Sequence, residues 1–411
     1  MGASGRTRRA EGPAEKKPWG AIWQMSSIPR IVKESFTRIE PVADQATAYF
    51  YGRLFAEHPR LRALFPPAMD AHRERMFQAL ARIVWSLDAP GQMTDYLERL
   101  GRDHRKYGVL PEHYRAMGGA LVATLRAFSG GHWTPEVEAA WASAYRSAAD
   151  IMIAAAERDA AAAPPWWVAE VVDHQRRAPD LAVLTLRPDR RLKFTAGQYV
   201  QVQTARWPRV WRRYSIANAP RPDGTLSLHV RAVPGGWVSG ALVRHTRVGD
   251  TLLLGPAQGT LTLDPDCDRD LLLVAGGTGL APLKSLAEQE IAWARGRRVH
   301  LVVGARGPLD LYDLPDLRRL ESGYPGLRVV PVPADAPPCD GPRGPVSAAL
   351  ERLRDRWDDH EVYVAGPPGM IRATVDAAQR LGVPLDRIHH DLLEAEQDAG
   401  GRARRASDRS A

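Results

Sequence analysis

The stretch Trp211-Arg212-Arg213-Tyr214-Ser215-Ile216-Ala217-Asn218-Ala219-Pro220 (WRRYSIANAP) sets two arginines, a tyrosine and a serine inside a β-rich run. Alone, an arginine beside an aromatic in a strand is more often a surface pair than a ligand site. Its neighbours in the chain give it weight. Gly197-Gln198-Tyr199 precedes it, and Gly235-Gly236-Trp237-Val238-Ser239 follows. Around these pieces lie six β-rich runs, WWVAEVVDHQ, LAVLTLRP, QYVQVQT, RRYSIAN, LSLHVRAV and DTLLLGP, separated by turns such as Pro222-Asp223-Gly224. Six strands without helical spacers predict a small antiparallel β-barrel over residues 166–265.

Downstream, from 266 to 395, the pattern changes to alternation. LLLVAGGTGLAPLKSLAEQEIAWA reads as a buried strand, a glycine-rich turn and a helix, and VHLVVGAR and EVYVAGPPGM repeat the theme. Unbroken apolar strands with helical spacers predict a parallel, doubly wound α/β sheet. Gly276, Gly277 and Gly279 free the backbone at a helix N-terminus, where open N–H groups and the helix dipole favour a pyrophosphate. Such a turn is also compatible with a mere tight connection, and it is not the GxGxxG fingerprint.

Upstream, residues 28–158 read as helices. Phe77, Leu80, Val84 and Leu87 recur at steps of three and four, as do Tyr114, Met117, Leu121, Leu125 and Phe128. Thr134-Pro135-Glu136 supplies an N-cap, a first-turn proline and an acid for a last helix carrying Val137, Trp141, Tyr145 and Met152. Several such helices and no strand pattern make an all-α domain. Ala160 to Pro165 is an alanine run closed by Pro164-Pro165, which breaks the helix, so residues 159–165 read as a linker. A histidine on such a helix is most often a surface or satisfied core residue. His104 gains interest because Tyr51, Phe65 and His72 precede it and Tyr107, Gly108 and Pro111 follow.

These pieces, in this order, resemble the flavohaemoglobin family, a globin fused to a ferredoxin–NADP reductase-like module. AYFYGRLF places Tyr51 at the family's distal tyrosine, HPRLRALF places Phe65 at its haem-stacking phenylalanine, and GRDHRKYGVLPEHY places His104 at the proximal ligand and Tyr114 at the proximal tyrosine. The resemblance implies haem b, with iron held by the neutral imidazole of His104 and the sixth position open to O₂ under the Tyr51 hydroxyl. HRERMF puts His72 where the family usually has glutamine and Met76 on the same face as a pocket wall. The glutamate that pairs with the proximal tyrosine falls near Ala156, with Glu157 one place off, and Tyr114 reads equally well as a core residue.

In the barrel, the resemblance implies FAD. Arg212 would pair with the pyrophosphate, with Arg213 beside it, and Tyr214 would lie on the isoalloxazine face. Ser215 would reach flavin N5, while Gly235 and Gly236, with Val238 and Ser239, would bring backbone N–H groups to phosphate. Tyr199 and Asp391 complete that expected set, and Trp211 reads as barrel packing. In the last domain, Gly276, Gly277, Thr278, Gly279, Pro282, Gly366 and Pro367 would hold NAD(P)H, with Arg306 and Arg318 as readers of a 2′-phosphate and NADH favoured. Ala365 stands where many relatives carry cysteine, and Leu392 and Leu393 where an aromatic is common.

The bulk numbers agree with a multidomain globular chain. At 411 residues, 44% hydrophobic and 25% charged, it is long enough for two to three cores. Residues 1–17 carry three Arg and two Lys against two Glu, and 398–411 carry four Arg against two Asp, so the two polar ends hold over half of the +8 charge. Those ends, 1–27 and 396–411, read as disordered tails, and no basic stripe with interleaved aromatics points to nucleic acid. Cys267 and Cys339 are the two cysteines, too few for a disulfide framework, which fits a reducing cytoplasm. No signal peptide or membrane span is expected, and a monomer is.

The expected activity is NAD(P)H-dependent nitric oxide dioxygenation, with NO and O₂ as small-molecule substrates and electrons passing from NAD(P)H to FAD to haem. Two alternatives stay open: a flavin reductase serving an external acceptor, and a haem-based gas or redox sensor.

Overall fold

The protein, seen in a computed structural model, is described over residues 27–334, 344–353 and 356–390. Two compact units divide the chain between Ala163 and Pro164.

The first unit is all helical. Its described helices are α1 (Ile28–Phe36), α2 (Ala43–Glu57), α3 (Asp70–Trp85), α4 (Pro90–His104), α5 (Pro111–Ser129) and α6 (Pro135–Ala162). Phe36, Phe50, Leu54, Leu97, Leu125 and Trp141 form its core, which is where the three- and four-residue spacing sends one face of each helix. Thr134 caps α6 as its sequence predicts, its hydroxyl accepting from the Val137 N–H at 3.2 Å. The helix runs on to Ala162, four residues past Arg158, because nothing before Pro164-Pro165 interrupts the alanine run. Gly101 lets α4 cross α6 closely, since a Cβ there would collide with the Met152 carbonyl. Trp141, buried in α6, donates its indole N–H to Ser35 Oγ at 2.7 Å and ties α1 to the same core.

The second unit begins with the six expected strands, β1 (Trp167–Ala178), β2 (Leu181–Pro188), β3 (Tyr199–Thr204), β4 (Arg212–Ser215), β5 (Leu226–Arg231) and β6 (Thr251–Leu254). They pair antiparallel in the order β4-β3-β6-β1-β2-β5. An Ile216–Leu228 bridge then brings the end of β4 back to β5, so the barrel is nearly closed. One expectation fails here: a helix, α7 (Trp237–Arg244), lies between β5 and β6 and packs on β5, β3 and β2. Val238, Ala241, Leu242 and Val243 are its buried face. Their three- and four-residue spacing puts the apolar side chains on the face that meets the strands.

The rest of the second unit is a parallel sheet with the order β11-β10-β7-β8-β9, built from β7 (Asp270–Gly276), β8 (Val299–Ala305), β9 (Leu327–Pro333), β10 (His360–Ala365) and β11 (Ile388–His390). Helices α8 (Leu280–Trp293) and α9 (Leu314–Gly323) cover one face, and α10 (Val346–Arg352) and α11 (Pro368–Arg380) the other. Alternate residues of β7 serve the two faces: Leu271 and Leu273 join one core, Leu272 and Val274 the other. Leu181, Ala196 and Leu261 of the barrel join the core under α8, so barrel and sheet share packed apolar surface. Among the described residues no helix is long and apolar enough to cross a membrane.

Candidate functional site

In the helical unit, the sequence-named residues converge. Tyr51, on α2, makes edge-on ring contacts with Phe65 (centroids 5.5 Å) and His72 (5.7 Å), and Phe65 meets His72 at 5.2 Å. Phe65 follows a 3₁₀ turn, Pro59–Leu64, whose extended exit turns its ring inward. Met76 lies one turn beyond His72 on α3 and packs against the same core. Burial first, then the nearby Arg75 and His104 charges, push the His72 pKa down to about 4, so its imidazole is neutral at pH 7. Burial likewise holds the Tyr51 hydroxyl protonated, well above its ordinary range.

His104 is the last residue of α4, and its Nδ1 lies 2.7 Å from the Leu100 carbonyl. A carbonyl only accepts, so Nδ1 carries the proton and Nε2 the lone pair. Burial, the largest influence, lowers the His104 pKa and keeps the ring neutral. The turn after it is braced by the Arg105–Asp159 ion pair and by Arg105 Nη2 on the Ala163 carbonyl at 2.7 Å. Tyr114 sits with its ring 6.5 Å from His104, and burial alone pushes it up to about 12. Glu157 is exposed, so the pairing of a late-helix acid with Tyr114 is absent here; Tyr145 instead donates to the Tyr114 carbonyl at 2.7 Å. A neutral imidazole with its Nε2 lone pair available, near an aromatic cluster bearing one hydroxyl, fits a haem ligand set.

In the second unit, β4 carries Arg212 and Arg213 exposed and Tyr214 and Ser215 half-buried. Register with β3 sets Tyr199 opposite Ser215, and the Arg213 guanidinium lies 5.1 Å over the Tyr199 ring. Burial raises the Tyr214 pKa strongly, with Arg212 opposing it. The second half of the same stretch has a different task. Asn218, fully buried, donates to the Ala219 carbonyl at 2.7 Å and accepts from the Ser227 N–H at 2.6 Å. Ser285 of α8 donates to the Asn218 carbonyl at 2.7 Å, and Glu288 accepts from the Ala219 N–H at 3.1 Å. The sequence signal for Asn218 is weak: an amide amid apolar residues just after the strand. Trp211 is buried, as barrel packing requires.

Gly197 adopts φ +90° where a Cβ would strike the Leu261 carbonyl, so its glycine serves the barrel–sheet seam. Gly235 adopts φ +68° with open space beside it, whereas a Cβ on Gly236 would meet Ser239 and Val233. The Ser239 hydroxyl accepts from the Val233 N–H at 3.3 Å, and the Val238 side chain is core, leaving its backbone N–H for any ligand.

The strand order places a switch between β7 and β10, the crevice where open α/β sheets bind ligands. Gly276–Gly279 leave β7 there and Gly366-Pro367 leave β10. A Cβ on Gly276 would strike Met370, and one on Gly279 the Ala365 carbonyl, while Gly277, at φ +56°, faces open space. Two turns are thus pressed together with one backbone segment left free, a cradle suited to a pyrophosphate. Thr278 is half-buried on that turn and Pro282 is buried in the first turn of α8. Arg306 pairs with Asp310 at 3.1 Å and Arg318 with Glu321 at 2.6 Å, so both arginines already have carboxylate partners. Asp391, Leu392 and Leu393 lie outside the described residues.

Fold and site together define a globin joined to a flavin- and nicotinamide-dependent oxidoreductase module. Residues 48–152 match the globin family, 169–262 the oxidoreductase FAD-binding domain and 273–376 the oxidoreductase NAD-binding domain. The chain is 30% identical over 399 residues to the flavohemoprotein of Bordetella pertussis, covering 88% of this chain and 96% of that one. The chain belongs to the flavohemoprotein family, and its cofactors are haem, FAD and NAD(P)H. The chain is also 34% identical over 231 residues to reductase component 1 of terephthalate 1,2-dioxygenase from Comamonas, covering 55% of this chain and 68% of that one. The flavohemoglobin of Malassezia yamatoensis shares the fold, with a TM-score of 0.69 at 18% identity over 90% of this chain and 99% of that one.

Proposed function

We propose that this oxidoreductase is an NAD(P)H-dependent nitric oxide dioxygenase. The observation that carries the reading is the arrangement around His104: an imidazole fixed through Nδ1, near a cluster of Tyr51, Phe65 and His72. Bound haem would supply the O₂-binding iron, and bound FAD the step from hydride to single electrons. His104 would hold the iron through Nε2, and the Tyr51 hydroxyl would be the hydrogen-bond donor available to a bound gas. Phe65, His72 and Met76 exclude water there, and Tyr114 packs beside His104. Arg212 and Arg213 would neutralise flavin phosphate with Gly235, Gly236, Ser239 and the Val238 N–H, Tyr214 and Tyr199 would bound the ring, and Ser215 would offer its hydroxyl to the reacting edge. Gly276, Gly277, Thr278, Gly279, Pro282, Gly366 and Pro367 shape the nucleotide crevice. Electrons balance as two NO and two O₂ becoming two nitrates for each NAD(P)H oxidised, with one proton released.

A second reading, a reductase serving an external acceptor, has one specific support: the 34% identity to the Comamonas reductase component over 55% of this chain. NADH-driven NO consumption under air separates the two. His104→Ala is expected to abolish NO consumption while NADH–ferricyanide turnover persists. Unchanged NO consumption in that variant would sink the dioxygenase reading.

A further inference from the structure

Trp207 and Trp237 form a stacked pair on the barrel, ring centroids 4.8 Å apart and planes within 20°. The pair is not a core feature, since Trp237 is 43% exposed. Two observations mark it as built. Trp207 sits in the β3–β4 loop, where Arg209 takes a left-handed φ of +65°, a conformation that disfavours any residue with a Cβ. That bend is held by the Arg209 N–H on Gln203 Oε1 at 2.6 Å and by Val210 N–H on the Trp207 carbonyl at 3.3 Å. Trp237, from the other side, is the first residue of α7, immediately after Gly235 and Gly236. The same two segments therefore carry both the stacked indoles and the candidate phosphate contacts, because Trp207 lies five residues before Arg212.

A dinucleotide flavin has a second flat ring system one ribose beyond its pyrophosphate. An exposed indole face beside a phosphate cradle is matched by that purine, as bases stack on aromatic side chains with little demand on hydrogen-bonding pattern. We propose that the Trp207–Trp237 stack is the seat of the FAD adenine, and that it makes this barrel select FAD over FMN. The proposal rests on the reading of Arg212 and the Gly235-Gly236 turn as the flavin phosphate site.

Flavin dissociation constants of the full-length chain, measured by flavin fluorescence with FAD and separately with FMN, test it. Trp237→Ala and Trp207→Ala are expected to weaken FAD about 5- to 100-fold, the range of one lost base stack, and to leave FMN unchanged. Trp237→Phe, which keeps a ring at the helix start, should recover most of the FAD affinity. AMP should quench the wild-type tryptophan fluorescence and quench the Trp237→Ala variant less. Equal weakening of FAD and FMN, or unchanged FAD affinity with far-UV circular dichroism intact, overturns the proposal. Arg212→Ala tests the underlying reading separately: it should weaken both flavins, and if it weakens neither, the phosphate site lies elsewhere.

Discussion

In the helical unit, the candidate ligand pocket is assembled from side chains far apart in the chain: Tyr51 on α2, Phe65 after a 3₁₀ turn, His72 on α3 and His104 at the end of α4. In the second unit, the candidate residues Arg212 to Ser215 are successive in one strand, and the other candidate positions lie on turns whose backbone is freed at glycines. The first site depends on how helices pack; the second depends on local dihedrals and on strand register. Single side-chain changes should therefore have their largest effects in the helical pocket, while in the second unit the sensitive positions should be glycines and the seam.

After the loss expected of His104→Ala, the largest effect is at Tyr51. Tyr51→Phe removes one donor to a partly negative ligand, and O₂ dissociation from the reduced protein should accelerate about 10- to 100-fold, read by rapid mixing. An unchanged rate would mean that the hydroxyl faces away and that His72 supplies the donor. Next comes Gly279→Ala. The added Cβ meets the Ala365 carbonyl, and either the β7 or the β10 turn must move, at a cost of about 1–3 kcal/mol. Denaturation of the second unit should show that loss, with the NAD(P)H KM raised; a neutral outcome would show that the two turns are not pressed together.

The smallest effect concerns the seam. His229, buried, lies with Nδ1 2.9 Å from the Tyr312 hydroxyl, and burial, helped by Lys284 and Arg177, holds its pKa well below 6.5. A histidine with a depressed folded pKa leaves the unfolded state binding the extra proton. Its stabilising share is thus intact above the unfolded pKa and is lost as pH falls below about 6.5, with a slope of at most about 1.4 kcal/mol per pH unit. His229→Gln should flatten the fall of the second unit's melting temperature below that pH. An unaltered slope would assign the acid sensitivity to other groups.

Much of this was legible because the signals are periodic or short-range. The helices, the barrel strands and the alternating last domain follow from spacing that sends alternate residues, or every third and fourth, to one side. What escaped was whatever had two roles. GGWVSGALVR signals a glycine turn, yet Val238, Ala241 and Leu242 also carry helical spacing and form part of α7. β11, three residues at a sheet edge, has little pattern of its own, and β9 is interrupted by Pro331, which argues against a strand. Asn218 is silent because its amide bonds to Ala219, Thr225 and Ser227 require the chain to turn back after β4, and a lone Asn in a loop does not announce that turn.

The sequence by itself determined the order of the three modules, the residue types offered to haem, flavin and nicotinamide, and the strand that holds Arg212 to Ser215. Those features are local, and local dihedral preference and periodicity are written residue by residue. Tertiary structure alone decided that Tyr51, Phe65 and His72 touch and that His104 presents Nε2. It also decided that Gly197 and Gly279 are fixed by backbone distant in the chain, and that Trp207 meets Trp237. Such contacts join residues distant in the chain, and close packing of whole elements, which no short window of sequence contains, is what brings them together.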